Sequence, residues 1–202
     1  MEKRIKNKNL FYLFLAVLFI SACFLVFTSF FPKNNLKQGL NQESNQNLGC
    51  VTSVEERTVE GISLQGIIEP EEKVIVYFDY YKCHEPERGD IVLIDYAGNK
   101  NPIIKIVKGV SGDSFSLKEA NGGWNILINN EVLKNSQGKE YVISQNGYKM
   151  LSLYANDYHN KIPEGAFLVM GNLVNGSIDS TVFGLISQDD IIGKAYTSSV
   201  KL

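Results

Sequence analysis

The sequence predicts a mainly β domain held behind one N-terminal transmembrane helix. Three observations carry that expectation. Residues 10–31 form an apolar run without a charge, and residues 32–49 are rich in Asn, Gln, Lys and Ser. Everything from residue 50 onward breaks into short β-branched and aromatic runs punctuated by Gly, Asn and Asp. The organisation is therefore a basic cytoplasmic tail over 1–9, an anchor over 10–31, a flexible tether over 32–49 and an extracytoplasmic domain over 50–202.

The tail carries Lys3, Arg4, Lys6 and Lys8. Leu10 to Phe31 is 22 residues, which at about 1.5 Å per helical residue spans about 33 Å, enough for a bilayer core. Fewer basic residues follow it, chiefly Lys33 and Lys37, so the charge bias puts the N-terminus in the cytoplasm and the rest outside. A cleaved signal peptide would have a shorter apolar core. Ile20-Ser21-Ala22-Cys23 resembles a lipobox that would lipidate Cys23. The run stays apolar through Phe24-Leu25-Val26-Phe27, however, which favours a spanning helix. The tether cannot bury enough apolar surface to offset its ordering entropy.

Beyond residue 50 the strand-like runs are 73–81, 90–96, 102–110, 124–128, 140–145, 166–170 and 190–196. Turn residues separate them at 87–90, 111–113, 121–123 and 146–147, and Asn125–Leu133 reads as a hairpin turning at Asn129-Asn130. No long amphipathic helix is expected.

Composition narrows the function. A net charge of −2 provides no basic field for nucleic acid. Cys23, Cys50 and Cys83 have no CxxC spacing, and only His84 and His159 are available as imidazoles. No metal site and no histidine-based triad is predicted. Whether Cys50 and Cys83 pair is left open.

One strand is unusual. In Ile103–Lys108, lysines interrupt an apolar run. They either face solvent from an edge strand or lie against an apolar wall, where burial would lower the amine pKa and make a usable base. The pattern does not choose between Lys105 and Lys108. Ser63, in Val59-Glu-Gly-Ile-Ser63-Leu64, follows a glycine bend without other turn residues. With histidine scarce, a lysine is the natural base for such a serine. Val169–Gly184 also carries far more small and polar residues than a hairpin turn requires.

Five blocks, in order, resemble the type I signal peptidases, which are membrane-anchored Ser-Lys proteases. Val59–Leu64 is similar to the family's nucleophile block and Arg88–Leu93 to its Arg-Gly-Asp strand. Ile104–Val107 with Gly109 and Gly112-Asp113 resembles the block carrying the base, and Ile126–Asn130 the Ile-Asn-Gly hairpin. Ile162–Gly165, Val169–Gly171, Ser177-x-Asp179-Ser180, Phe183-Gly184 and Ile192–Ala195 resemble the last block.

The resemblance implies an antiparallel β domain with Ser63 as nucleophile and Lys105, not Lys108, as base. It implies that Ser177 and Asp179 orient the lysine, with Ser177 hydrogen-bonded to its amine, and that the Ser63 N–H donates to the oxyanion. Val59, Leu64, Ile68 and Ile104 would line shallow pockets for small substrate residues. Gly61 stands where one branch has a hydroxyl, and the lysine points to the bacterial and mitochondrial type. The implied substrates are signal-peptide-bearing precursors, met beside membrane lipid at the outer face of a bacterial cytoplasmic membrane, without a cofactor. A divergent branch that matures pilin precursors in conjugative transfer is an alternative, and a non-catalytic β binding domain is a second class of function. The departures are Gly66 for Pro, Ile67 for Thr, Ile106 for Arg, Asn172 for Asp and Thr181 for Arg. The resemblance implies that Ile106 and Asn172 jointly replace an ion pair, so that Arg and Asp restored together would compensate.

Overall fold

A computed structural model of the chain describes residues 49–96 and 101–197. The predicted tail, the anchor, Cys23 and nearly all of the tether lie outside those residues. Among the described residues no helix is long and apolar enough to cross a membrane.

The strands in chain order are β1 (Ser53–Thr58), β2 (Lys73–Phe78), β3 (Ile91–Ile94), β4 (Ile103–Gly109), β5 (Phe115–Ala120), β6 (Gly123–Ile128), β7 (Glu131–Val132), β8 (Val142–Ile143), β9 (Ala166–Met170), β10 (Ile186–Ser187) and β11 (Ile191–Thr197). Seven of them form one sheet in the order β1-β2-β11-β3-β4-β9-β10, and β5, β6, β7 and β8 form a second. Every pairing is antiparallel. The mainly β expectation holds.

Register explains why the inner strands β3, β4 and β9 of the large sheet read as nearly continuous apolar runs. Residues paired across antiparallel strands share a face. The pairs Ala195↔Val76, Ala195↔Ile91, Leu93↔Ile104 and Ile91↔Ile106 therefore line one face. That face is covered by Val59, Leu64 and Ile68 from the segment after β1. Val92, Val107 and Val169 line the other, under Tyr81, Phe167, Ile186 and Ile191. A strand buried on both faces has no polar alternation to display.

The second sheet has its own core. Phe115, Ile126, Ile128, Tyr141 and Ile143 pack with Leu151, Ala155 and Ile162, and Leu168 and Met170 of β9 join them. Here the structure departs from expectation, because Leu151 and Ala155 belong to a helix, α1 (Gln145–Asp157). The Asn146-Gly147 pair, expected to mark a turn, lies in its first turn. Ser144 is the N-cap and accepts a hydrogen bond from the Gly147 N–H. Gly147, Leu151 and Ala155 are buried four residues apart, so a glycine occupies the inner face where Ile143 and Thr181 approach. β1 and β5 were likewise absent from the expected strands. β1 is exposed along its whole length and lacks an apolar run.

The Asn129-Asn130 hairpin joins β6 to β7 as expected. Both residues have positive φ, 51° and 68°, as a type I′ turn requires. Cys50 and Cys83 form a disulfide with Cα atoms 5.9 Å apart. It fastens the chain just before β1 to the 3-10 turn at Tyr80–Lys82.

Candidate active site

β4 carries Lys105 opposite Val92 of β3. On its other side β4 pairs with β9 only from Ile106↔Met170 onward. Gly171 then leads the chain away, so the part of β4 bearing Lys105 has an unpaired edge. Over this edge the lysine reaches Ser63, its Nζ lying 3.0 Å from Ser63 Oγ. It also donates to the Ile104 carbonyl at 2.8 Å. Only 4% of Lys105 is exposed. Burial pulls its amine down to about 8, partly opposed by the negative charge of Asp179.

Ser63 sits in a tight turn after β1, in which the Gln65 N–H donates to Ile62 O at 3.0 Å and the Ile67 and Ile68 N–H groups donate to Leu64 O at 3.0 Å. The turn is pinned from behind. The Asn172 and Leu173 N–H groups donate to Ser63 O at 2.6 and 3.2 Å. The Ser63 N–H donates to no acceptor among the described residues.

The polar loop after β9 meets the hydrogen-bonding needs of its own backbone. Asp179 is buried, accepts from the Gly171 N–H at 3.1 Å, and caps α2 (Ser180–Phe183) through the Thr181 N–H. Ser180 Oγ accepts from the Val169 N–H at 2.9 Å, and the Tyr141 hydroxyl donates to Gly171 O at 2.6 Å. A Cβ on Gly171 would lie 2.3 Å from Ser177 Oγ and 2.9 Å from Ser63 O, so only glycine allows this approach. The two ends of this loop are buried, at Gly171-Asn172 and Asp179-Ser180, and buried backbone groups must be paired.

Two expectations change here. Ser177 was expected to hydrogen-bond the Lys105 amine. Instead Lys105 engages Ser63 and Ile104 O, and Ser177 Oγ is buried over Gly171 without a partner among the described residues. Leu64 and Ile68 were expected to line substrate pockets. Both are fully buried core residues that support the turn from below. Val59 and Ile104 do line a cleft of about 780 Å³, together with Val74, Val76, Phe78 and Leu93, and Ser63 and Lys105 also border it. Arg57 and Glu60 stand along it as well.

Lys108 lies beyond the unpaired edge. Its amine meets Lys134 O at 3.3 Å and lies over the Tyr141 ring, 5.9 Å from the centroid. Burial lowers its pKa too, with no serine among its hydrogen-bond partners.

A family model described as "Signal peptidase, peptidase S26" matches residues 47–199. The chain belongs to this signal peptidase family. A signal peptidase IB of Staphylococcus aureus is 33% identical over 146 residues, covering 68% of this chain and 73% of its own. A probable signal peptidase I-2 of Synechocystis is 25% identical over 156 residues, covering 74% and 65% respectively. A crystal structure of a signal peptidase I from Enterococcus faecalis has 21% identity and a TM-score of 0.40, over 55% of this chain and 97% of that one. Against the signal peptidase pattern, the departures have structural correlates. Gly66 has φ +88°, which a proline cannot adopt. Thr181 donates its hydroxyl to Asp179 at 2.7 Å. Ile106 is core, and Asn172 is a fully buried hydrogen-bonding hub.

The hub and its partners were not foreseen as parts of the site. Strand patterns register apolar residues, and nothing in them brings Asn135, Ser136 or Tyr141 to a serine more than 70 positions earlier. The one available signal was that Gly66 and Asn172 both depart from the family pattern.

Proposed function

We propose that the chain is a membrane-anchored serine endopeptidase that removes signal peptides by a Ser63–Lys105 dyad at the outer face of the cytoplasmic membrane. The observation that carries this reading is the 3.0 Å separation of Lys105 Nζ and Ser63 Oγ. A buried amine held near 8 is partly neutral at physiological pH and can accept a proton. Ser63 Oγ attacks the scissile carbonyl as its proton passes to Lys105. The resulting ammonium returns that proton to the leaving amine as the C–N bond breaks. Water, deprotonated by the same lysine, then cleaves the acyl-enzyme and restores Ser63. The Ser63 N–H, which donates to no acceptor among the described residues, is the oxyanion donor in this reading. Val59 and Ile104 form the apolar wall beside the small residue at the cleavage point.

The Cys50–Cys83 bridge supports the extracytoplasmic assignment, since such bonds persist in oxidising compartments. Residues 1–9 as tail, 10–31 as anchor and 32–49 as tether complete the reading. Membrane lipid is then the setting in which precursors are met. The test is incubation of exported precursors, a pilin precursor among them, with wild type and Ser63→Ala. Cleavage by the first alone supports the reading. Equal processing by both, or by neither, sinks it.

A further inference from the structure

Asn172 is fully buried, yet its side chain makes no hydrogen bond to Ser63 Oγ or to Lys105. Its Nδ2 donates to Gln65 O at 2.8 Å and to Ser136 Oγ at 2.9 Å, and its Oδ1 accepts from the Ser136 N–H at 3.0 Å. Its own N–H donates to Ser63 O at 2.6 Å, and its carbonyl accepts from Asn135 Nδ2 at 3.1 Å. One residue thus grips the Ser63 turn at two carbonyls, those of Ser63 and Gln65. It fastens the turn to the segment joining β7 to β8 of the second sheet. Gly66 makes room for this contact. A Cβ there would fall 2.3 Å from Gln137 Nε2 and 3.3 Å from Asn172 Nδ2.

We propose that Asn172 is a positioning residue for peptide cleavage, an amide clamp through which the second sheet holds Ser63 in reach of Lys105. This rests on the Ser63–Lys105 reading. Only a primary amide can serve all three side-chain bonds. A carboxylate keeps the acceptor for the Ser136 N–H, loses both donors, and turns its charge on the Gln65 carbonyl. Asn172 does not border the cleft. Loosening the clamp therefore changes the alignment of the nucleophile more than the binding of substrate.

The test uses the full-length protein in detergent micelles and an internally quenched peptide with alanines before the scissile bond. Asn172→Asp and Asn172→Ala are expected to lower kcat about tenfold or more with KM within about twofold. The rise of activity near pH 8 should stay in place for Asn172→Ala, since the environment of Lys105 is unchanged. Hydrogen exchange at the Gln65, Ile67 and Ile68 amides should quicken about tenfold while β3, β4 and β11 keep their protection. Ser136→Ala, remote from the reacting atoms, should cost about threefold in kcat and add little to Asn172→Ala. It also serves as the folded reporter if an Asn172 variant melts. Unchanged kcat, a loss carried by KM, or exchange that rises equally across the sheet would overturn the proposal. Ser63→Ala separates the two levels. Activity equal to wild type there overturns the dyad itself, whereas turn exchange still decides the clamp.

Discussion

Lys105 is a cationic side chain placed where a cation is poorly solvated, and two measurable effects follow. Its folded pKa of about 8 lies below the ordinary lysine value of 10.5. The unfolded chain therefore binds more protons between those two values, and stability rises with pH across that window. Lys105→Met should stabilise the fold by about 3 kcal/mol below pH 8. The gain should shrink between about 8 and 10.5 and vanish above. Thermal melts at several pH values read this out. In activity the sign is the same, because the neutral amine is the proposed base, so cleavage should climb through about pH 8. Asp179 holds the lysine pKa up. Asp179→Asn should move that climb toward acid, at about 1–3 kcal/mol of stability, because the amide has one acceptor oxygen where the carboxylate serves both the Gly171 and Thr181 N–H groups. Ser63→Ala and Lys105→Ala should each abolish precursor cleavage, and Lys108→Ala should leave most of it. The last contrast marks the limit of the sequence. Burial lowers the pKa of both lysines, so an apolar neighbourhood alone cannot select one. The choice depends on where β9 stops pairing, at Ile106 and Met170, which lie 64 positions apart in the chain.

Among elements, those driven by continuous apolar burial could be read in advance, and those held by polar bonds could not. β3, β4 and β9 were legible because both of their faces are covered, and β2 because Val74 and Val76 are buried on one of its faces. α1 was hidden because its inner face begins with a glycine and its start resembles a turn. Its stability comes from the Ser144 cap and from packing. The Ser63 turn was legible as a motif but not as a shape. Restoring the family's residue by Gly66→Pro should therefore damage the protein. Proline holds φ near about −65°, whereas this position is at +88°. A lower melting temperature and lost cleavage are expected. Ile106→Arg should cost several kcal/mol, because it strands a cation in the cluster formed by Leu64, Val76 and Ala195. Compensation by Asn172→Asp, implied by the family resemblance, is not expected in this chain. The asparagine amide already serves Gln65 O and Ser136. Melting temperatures of both singles and the double decide the point, and near-additive losses are expected.

Across the whole molecule, the disulfide closes a loop between positions 33 apart, a constraint worth about 3–4 kcal/mol against the unfolded chain. Cys50→Ser with Cys83→Ser should lower the melting temperature correspondingly, and a reducing agent should do the same to wild type. The proposed topology predicts that protease added to intact spheroplasts digests the β domain, while protection until lysis would refute it. The order of the large sheet bears on timing. β11, the last strand among the described residues, lies between β2 and β3. Until residues 191–197 arrive, the β1-β2 pair that flanks Ser63 and the β3-β4 pair that carries Lys105 lack the strand that joins them. On the proposed topology the chain crosses the membrane in this order, and it is expected to stay inert until residues 191–197 have crossed. Its own export is then nearly finished before it can cut its neighbours.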